Sequence, residues 1–212
     1  MFENITIIGC GLIGSSILRA IIKKKISQNI ICYDKSKEVL SFLKKENLGI
    51  ATSTDIILSV KDADLIIIST PLSAYKEILL SIKDNLKKNS ILTDTGSVKK
   101  EINKNIGNLN LKDISWIASH PIAGTEDSGP KAGFAELFEE RWCIVSPSVN
   151  AKKEDIQNIQ KFWEIIGSKV KLMSFEEHDH ILSLTSHLPH AIAYNIVRTA
   201  INNGNKFRQE VI

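Results

Sequence analysis

Three glycines with the spacing Gly9-x-Gly11-x-x-Gly14 stand between a β-branched run and a helical pattern near the start of the chain. Residues 5–8 predict a buried strand, and apolar residues recur at helical spacing over residues 12–25. In such a turn, the first glycine permits the tight bend, the second lets a ligand approach the backbone, and the third lets the helix pack closely on the strand. The free N–H groups of the helix N-terminus then bind a phosphate.

Asp34 indicates which phosphate compound this turn binds. It follows the second predicted strand, residues 30–33, and lies 20 residues beyond Gly14. A carboxylate at this position accepts hydrogen bonds from the ribose hydroxyls of NAD and repels the additional phosphate of NADP. The neighbouring Lys35 and Lys37 leave the strictness of NAD over NADP open. The sequence therefore predicts an NAD site whose turn residues are Gly9, Gly11, Leu12, Ile13 and Gly14.

Strand-like and helical patterns alternate along most of the chain. Residues 65–69 are continuously apolar, which is typical of a strand buried on both faces of a parallel sheet. The predicted strands are residues 5–8, 30–33, 65–69, 91–93, 116–119, 142–146 and 169–173, and the predicted helices are residues 12–25, 35–47, 73–88, 98–106 and 155–166. We therefore expect an α/β fold, a Rossmann-type, doubly wound, mostly parallel sheet, over residues 1–173.

The pattern changes in two places after His120. Residues 121–141 are rich in Pro, Gly and polar side chains and predict a long functional loop with a short helix. From Ser174 a helical pattern continues to about residue 203, and Ser174 with Glu177 has capping-box spacing. Pro189 is expected to kink this helix or break it into two. Residues 174–212 are therefore expected to begin an all-helical dimerisation domain that is incomplete here.

Composition limits the partners and the compartment. The net charge is +3, and no dense basic cluster with interleaved aromatic residues indicates a nucleic-acid partner. No membrane span or signal peptide is expected, since the glycine turn interrupts the N-terminal apolar run and no run reaches the length of a span. Cys10, Cys32 and Cys143 lie in or beside apolar runs without C-x-x-C spacing, which indicates reduced, buried thiols in the cytoplasm.

Four of the five histidines cluster near the C-terminal end as His178-x-His180 and His187-x-x-His190. Residues two apart on a helix do not share a face, and cysteine or carboxylate partners at ligand spacing are absent from the sequence. No metal site is predicted, and His180 and His187 are interpreted as packing or surface residues.

Four segments, in order along the chain, resemble the prephenate and arogenate dehydrogenases of tyrosine biosynthesis. The most characteristic is Ser119-His120-Pro121-Ile122-Ala123-Gly124-Thr125-Glu126, with Ser128-Gly129 just after it. The others are Gly11-Leu12-Ile13-Gly14, Asp94-Thr95-Gly96-Ser97-Val98-Lys99 and Ser186-His187-Leu188-Pro189-His190. Ser15 stands where the family usually has Gly, in the first helical turn, where we expect Ser to be tolerated.

The resemblance implies an NAD-dependent oxidative decarboxylation. The substrate is a cyclohexadienyl ring with a hydroxyl on one carbon and a carboxylate on the opposite carbon. Hydride leaves the hydroxyl carbon, the carboxylate leaves as CO2, and aromatisation drives the reaction without a metal. Prephenate gives 4-hydroxyphenylpyruvate and arogenate gives tyrosine, and the sequence does not separate the two substrates.

The same resemblance assigns roles to individual residues. His120 is expected to hydrogen-bond the substrate hydroxyl, and Ser97 to bond the same hydroxyl and orient the imidazole. A histidine suits this step because its unperturbed pKa near 6.5 leaves it mostly neutral in the cytoplasm. His190 matches a substrate-binding position and Glu126 a residue that closes or orders the site, and His178 matches another position near the pocket.

Thr70 and Pro71 follow the apolar run of residues 65–69. By resemblance they line the cofactor, and the alternative is a plain turn after a strand.

The family pattern continues beyond residue 212, with a substrate-binding arginine and then the helices that form a homodimer. Arg208 lies too early to be matched to that arginine. The last helix would then have no partner for its apolar side, which consists of Leu184, Leu188, Ile192, Ile196 and Ala200. Either the sequence is a fragment of a longer protein, or a shorter form is adapted in another way.

Two other functions remain open at this point. A relative such as a 3-hydroxyacid dehydrogenase also combines a Gly-rich NAD fold with helices, but it uses a catalytic lysine in the helical domain, for which we find no matched candidate. A non-catalytic NAD-binding module would need only the glycine turn and Asp34. Substitution of His120 would not affect such a module.

Overall fold

The computed structural model describes residues 2–109, 111 and 113–211, with side chains described up to residue 202. Over these residues it forms strands and helices in alternation. The strands are β1 (Asn4–Ile8), β2 (Asn29–Tyr33), β3 (Ala51–Ser53), β4 (Leu65–Ile68), β5 (Ile91–Asp94), β6 (Ser115–Pro121), β7 (Trp142–Pro147) and β8 (Lys169–Leu172). The helices are α1 (Leu12–Lys23), α2 (Lys37–Lys45), α3 (Ile56–Val60), α4 (Tyr75–Ile82), α5 (Lys100–Gly107), α6 (Lys153–Ile165), α7 (Phe175–Leu182) and α8 (Leu188–Val211).

The strands form one sheet in the order β3-β2-β1-β4-β5-β6-β7-β8. Neighbouring strands are parallel, except that β6 and β7 are antiparallel. The chain moves from β1 outward to β2 and β3, then returns past β1 to β4, so the strand order reverses between β1 and β4. Ligands of open α/β sheets bind outside the carboxyl ends of the strands at such a reversal. The predicted doubly wound, mostly parallel sheet is confirmed.

Helices cover both faces of the sheet. Along β4, Ile67 packs into one buried cluster, while Ile66 and Ile68 pack into the cluster on the opposite face. This alternation explains why β4 is apolar at every position, since successive side chains of a strand point to opposite faces. The first cluster includes α1 and α6, and the second includes α4 and α5.

Two short elements were not predicted, β3 with three residues and α3 with five. Elements this short contain too few residues to display a period, so the sequence pattern carries little signal for them. In addition, α4 ends at Ile82 and not at residue 88. The stretch of residues 83–88 is mostly Lys, Asp and Asn with Leu86 as its one apolar residue, which is too little apolar surface to favour extending the helix over the sheet.

The C-terminal helices follow the sheet directly. The predicted capping box opens α7: the Glu177 backbone N–H donates to Ser174 Oγ at 3.2 Å, and the Ser174 N–H donates to Glu177 Oε2 at 2.9 Å. After α7, a wider π-helical segment, Ser183–His187, leads into α8. Pro189 thus lies in the first turn of α8, where its missing N–H is tolerated, and the expected irregularity precedes it.

One side of α8 is exposed and apolar. Leu188, Ile192 and Ile196 are each about half exposed, at 49%, 52% and 63%. They line a shallow groove together with Ala191, Asn195, Thr199 and Ala200. Among the residues that the structure describes, no helix is both long enough and apolar enough to span a membrane.

Candidate active site

The glycine turn lies at the carboxyl end of β1 and opens α1. Gly9 has a φ of 90°, and a Cβ there would lie 2.6 Å from the Ser69 carbonyl oxygen. A Cβ on Gly14 would lie 2.0 Å from the carbonyl oxygen of Gly9. A Cβ on Gly11, in contrast, would meet no described atom within 4 Å. Gly9 and Gly14 are therefore required by the packing of the protein itself, whereas Gly11 leaves space through which a ligand can reach the backbone.

Alanine substitution of these two glycines is therefore expected to affect two different properties, stability at Gly14 and NAD binding at Gly11. We expect Gly14→Ala to destabilise the protein by about 1–3 kcal/mol or more, because α1 must move away from β1 to relieve the overlap. Gly11→Ala is expected to leave thermal unfolding, followed by circular dichroism without ligand, nearly unchanged, since its φ of −71° suits any residue. Calorimetric titration with NAD is expected to show binding weakened about tenfold or more by Gly11→Ala, about 1.4 kcal/mol. Equal melting temperatures for the two variants would contradict this assignment.

Asp34 is held beside the glycine turn. Its Oδ2 accepts a hydrogen bond from the Cys10 N–H at 2.9 Å, and its Oδ1 accepts one from the Ser36 N–H at 2.9 Å. These bonds fix the carboxylate at the edge of a cleft of about 480 Å³. The predicted cofactor residues that line this cleft are Gly9, Gly11, Asp34, Thr70 and Pro71.

The remaining predicted residues of the turn support the cleft from behind. Leu12 and Ile13 pack against the buried cluster beneath α1, and Gly14 contacts the backbone of Gly9. In the cleft, Thr70 Oγ1 is buried without a hydrogen-bond partner among the described residues. A free hydroxyl, an open helix N-terminus and a fixed carboxylate together fit a dinucleotide.

A buried ion pair lies at the carboxyl ends of β5 and β6. Lys99 Nζ donates to both carboxylate oxygens of Asp94, at 2.9 and 2.7 Å, and to the Ser119 carbonyl oxygen at 2.6 Å. Neither charged side chain is exposed. Asp94 also accepts bonds from the backbone N–H groups of Gly96 and Ser119 and from the Tyr75 hydroxyl. The bonds to the Ser119 backbone fix the residue that directly precedes His120.

His120 lies near the carboxyl end of β6. Its Nδ1 is 2.8 Å from Nε2 of His178, and Nδ1 of His178 is 2.8 Å from Oδ1 of Asp179. The rings of the two histidines are tilted at 57° with centroids 5.0 Å apart. The side chain of His178 is completely buried, and both of its ring nitrogens are engaged. Of the ring nitrogens of this pair, Nε2 of His120 is the one without a hydrogen-bond partner among the described residues, and it remains available to a ligand.

The surroundings of His120 keep it neutral. Burial, followed by the electrostatic effects of Lys99, His178 and His187, lowers its pKa to about 3. Asp179 acts in the opposite direction but does not outweigh them. His120 is therefore an uncharged imidazole throughout the neutral range, as a hydrogen-bond acceptor for a hydroxyl must be.

The other predicted site residues lie on exposed parts of the chain. Ser97 is exposed in the loop between β5 and α5, and Glu126 is exposed in the loop after β6. His190 is exposed on α8, where its Nδ1 bonds the Ser186 carbonyl oxygen at 2.7 Å. The structure brings His120 together with His178, and among the described residues no hydrogen bond joins His120 to any of these three. The side chain of Arg208 falls outside the described residues.

His180 and His187, which the sequence suggested are packing or surface residues, differ in position. His180 is exposed on α7, whereas His187 is partly buried and influences the pKa of His120. Within the described part of the chain, no group of three or more His, Cys, Asp or Glu side chains is arranged to hold a metal ion.

Ser15, which stands where the family usually has Gly, packs against Gly133 of the loop after β6. Its side chain is buried and bonds the Leu12 carbonyl oxygen at 3.2 Å. A Cβ on Gly133 would lie 2.1 Å from Ser15 Oγ, so the loop after β6 can pack on α1 only because residue 133 has no side chain. The same loop is tied to α1 where the Phe134 N–H donates to Ser16 Oγ at 3.1 Å.

Sequence reasoning missed three residues of this region, Asp94, Lys99 and Asp179. Asp94 and Lys99 lie within a segment that resembles the family, but a loop carboxylate and a loop lysine are usually solvated, so their pairing was not inferred. Asp179 follows His178 directly, which was the only available signal.

Two family models match the chain. The model of the nucleotide-binding domain of prephenate dehydrogenase matches residues 17–172, and the model of its dimerization domain matches residues 174–211.

Relatives agree with these matches. The chain is 41% identical over all of its 212 residues to cyclohexadienyl dehydrogenase of Zymomonas mobilis and covers 72% of that protein. It is 31% identical to prephenate dehydrogenase of Lactococcus lactis over 92% of this chain, and spans 53% of that longer protein. The crystal structure of prephenate dehydrogenase from A. aeolicus in complex with hydroxyphenyl propionate and NAD+ superposes with a TM-score of 0.87 at 30% identity, covering 95% of this chain and 70% of that one. The chain described here therefore belongs to the prephenate dehydrogenase family of oxidoreductases.

Proposed function

We propose that this chain carries the NAD site and the catalytic histidine of an enzyme that oxidatively decarboxylates prephenate or arogenate. The observation that carries the proposal is the position of His120. Its neutral imidazole stands at the same edge of the sheet as the glycine turn and Asp34, with one ring nitrogen free. The name of the Z. mobilis relative, a cyclohexadienyl dehydrogenase, supports a substrate ring of this type.

NAD would lie along the cleft between β1 and β4. The N-terminus of α1 and the open position at Gly11 would hold the pyrophosphate, and Asp34 would accept the ribose hydroxyls. Thr70 Oγ1 would bond the cofactor, which gives this buried hydroxyl a partner. When bound, NAD+ supplies the acceptor for a hydride.

The protein supplies the base. As hydride leaves the hydroxyl carbon of the substrate, the hydroxyl proton becomes acidic, and Nε2 of His120 accepts it. The bond to the ring carboxylate then breaks, CO2 leaves, and its electron pair completes the aromatic ring. The resulting phenolate takes the proton back from His120. No metal is required at any step.

The roles of the other residues rest on the family resemblance. Ser97 would bond the same hydroxyl as His120, His190 would donate to a substrate carboxylate, and Glu126 would order the site. Among the described residues Nε2 of His190 has no hydrogen-bond partner, and all three side chains are exposed, which leaves them accessible to a ligand.

The direct test is NADH formation, measured by its absorbance, from purified protein supplied with NAD and either prephenate or arogenate. We expect turnover with at least one substrate, and weaker binding of NADP than of NAD in parallel calorimetry. Turnover with a 3-hydroxyacid instead would identify the alternative enzyme class. Binding of NAD with no turnover on any of these substrates would favour a non-catalytic module and contradict the proposed activity of this chain.

We also propose that residues 1–173 form the NAD-binding domain, that residues 174–212 begin the substrate and dimerisation domain, and that the full-length protein is a homodimer. The exposed apolar side of α8 supports the proposed dimer, because a stripe of this size in a helix is typical of an interface. Sedimentation of the protein tests it, and a monomer at all concentrations would contradict it.

The three cysteines are buried and free, which supports a reducing, cytoplasmic location.

A further inference from the structure

Asp179 is held as an ionised acceptor by two helices. On α7, its Oδ1 bonds Nδ1 of His178, and at the start of α5 it accepts the backbone N–H groups of Lys99 and Lys100, at 2.9 and 3.0 Å. Burial acts to raise the pKa of Asp179, but the Lys100 N–H, His178 and the Lys99 N–H outweigh it, so the pKa is lowered. At neutral pH the carboxylate can therefore only accept hydrogen bonds.

The ionised carboxylate fixes the positions of the hydrogens in the row of hydrogen bonds that joins Asp179, His178 and His120. Since Asp179 can only accept, Nδ1 of His178 must carry the hydrogen. Burial and the charge of Lys99 lower the pKa of His178 although Asp179 opposes them, so the ring is neutral and its Nε2 has a lone pair. Nδ1 of His120, 2.8 Å away, must then be the donor. Because His120 is also neutral, its Nε2 is left without a hydrogen.

We infer that His178 and Asp179 are positioning residues that hold His120 in the tautomer whose Nε2 can accept a proton. The catalytic consequence rests on the proposed function, whereas the tautomer itself does not. In the opposite tautomer, Nε2 would present an N–H to the substrate hydroxyl and could not take its proton. His178 thus acts through His120, without contacting the substrate. When His120 takes the proton, the negative charge of Asp179 stabilises the positive charge on the two hydrogen-bonded histidines.

Other charged or titratable groups also face this histidine pair. Lys99 and His187 lower the pKa of His120, and Asp94 is paired with Lys99. Cys143 on β7, whose pKa burial raises well above its usual value, contacts the backbone of His120. None of these groups bonds a ring nitrogen of His120 or His178, so among the described residues only Asp179 sets the direction of the hydrogen bonds.

The test is nitrogen-15 NMR of the five imidazoles, with His120 assigned by its loss in His120→Asn. In the native protein we expect His120 to show a protonated Nδ1 and an unprotonated Nε2, with no titration down to about pH 5. His178→Phe keeps a ring of similar size but removes the acceptor, and it is expected to give a mixture of His120 tautomers. Asp179→Asn is expected to do the same, and it provides the test if the Phe variant does not fold.

Two matched controls lie on the same helix. His180→Asn changes an exposed histidine, and Glu177→Gln weakens the capping box of α7 without touching the histidine chain. Both are expected to leave the His120 tautomer unchanged. An effect of Glu177→Gln equal to that of His178→Phe would mean that His178 only stabilises α7, which would overturn the inference.

Kinetics provide the second measurement. With prephenate or arogenate, His178→Phe and Asp179→Asn are expected to lower kcat about 10- to 100-fold, with NAD affinity by calorimetry unchanged, as for partners that orient a reacting group. A native His120 with Nε2 protonated, or variants with native tautomer and native kcat, would overturn the inference. If the native protein shows the expected tautomer but turns over neither substrate, the proposed function fails while the tautomer assignment stands.

Discussion

Replacing His120 by Asn is expected to reduce dehydrogenase turnover about 10²- to 10⁴-fold, the usual contribution of a positioned base. Asn is close to His in size and keeps a polar group at the end of β6, but it has no lone pair able to take a proton at neutral pH. Steady-state NADH formation with the active substrate measures the loss in kcat. Calorimetry is expected to show unchanged NAD affinity, because the cofactor cleft is lined mainly by the segments that follow β1, β2 and β4 and by α4, and His120 is not among its lining residues.

The control for this experiment is His180→Asn, the same substitution at an exposed position of α7. It is expected to retain native kcat and native NAD affinity. If His120→Asn also kept its activity, then His120 would not be the base, and the site would have to be sought elsewhere. A His120→Asn protein that had lost NAD binding as well would indicate a general structural defect and contradict the separation of the two sites.

Breaking the Lys99–Asp94 pair is expected to have the largest effect on stability. Lys99→Met keeps the length of the side chain but leaves the Asp94 carboxylate buried without its counter-charge, at a cost of about 3–5 kcal/mol. Asp94 is also needed to keep Lys99 charged, since burial lowers the pKa of Lys99 and the attraction of Asp94 opposes this. Urea unfolding followed by circular dichroism measures the free energy of unfolding, which is expected to fall by this amount.

Lys100→Met is the matched control, because the adjacent side chain is exposed. It is expected to change the unfolding free energy by less than about 0.5 kcal/mol, as for most surface substitutions. The double variant Lys99→Met with Asp94→Asn removes both charges and is expected to recover part of the loss. Equal stability of Lys99→Met and Lys100→Met would show that the buried pair contributes nothing.

Much of the fold followed from local patterns. The continuous apolar run of β4 indicated burial on both faces, and the alternation of strands and helices indicated a parallel sheet. The glycine turn and Asp34 could be placed because their separation along the chain reflects one βαβ unit, whose geometry is nearly constant. The capping box of Ser174 and Glu177 was equally local, since both partners lie in one helical turn.

The sequence by itself thus determined the α/β class, the cofactor turn and the placement of His120 at the carboxyl end of a strand, because each depends on residues that are near one another in the chain. Only the tertiary structure decided that His178, 58 residues from His120, is its hydrogen-bond partner. It also decided that Asp179 caps a helix 80 residues earlier and that Lys99 is buried on Asp94. The physical reason is that such contacts depend on the strand order and on how α5 and α7 dock at the end of the sheet, which leave no period or spacing in the sequence.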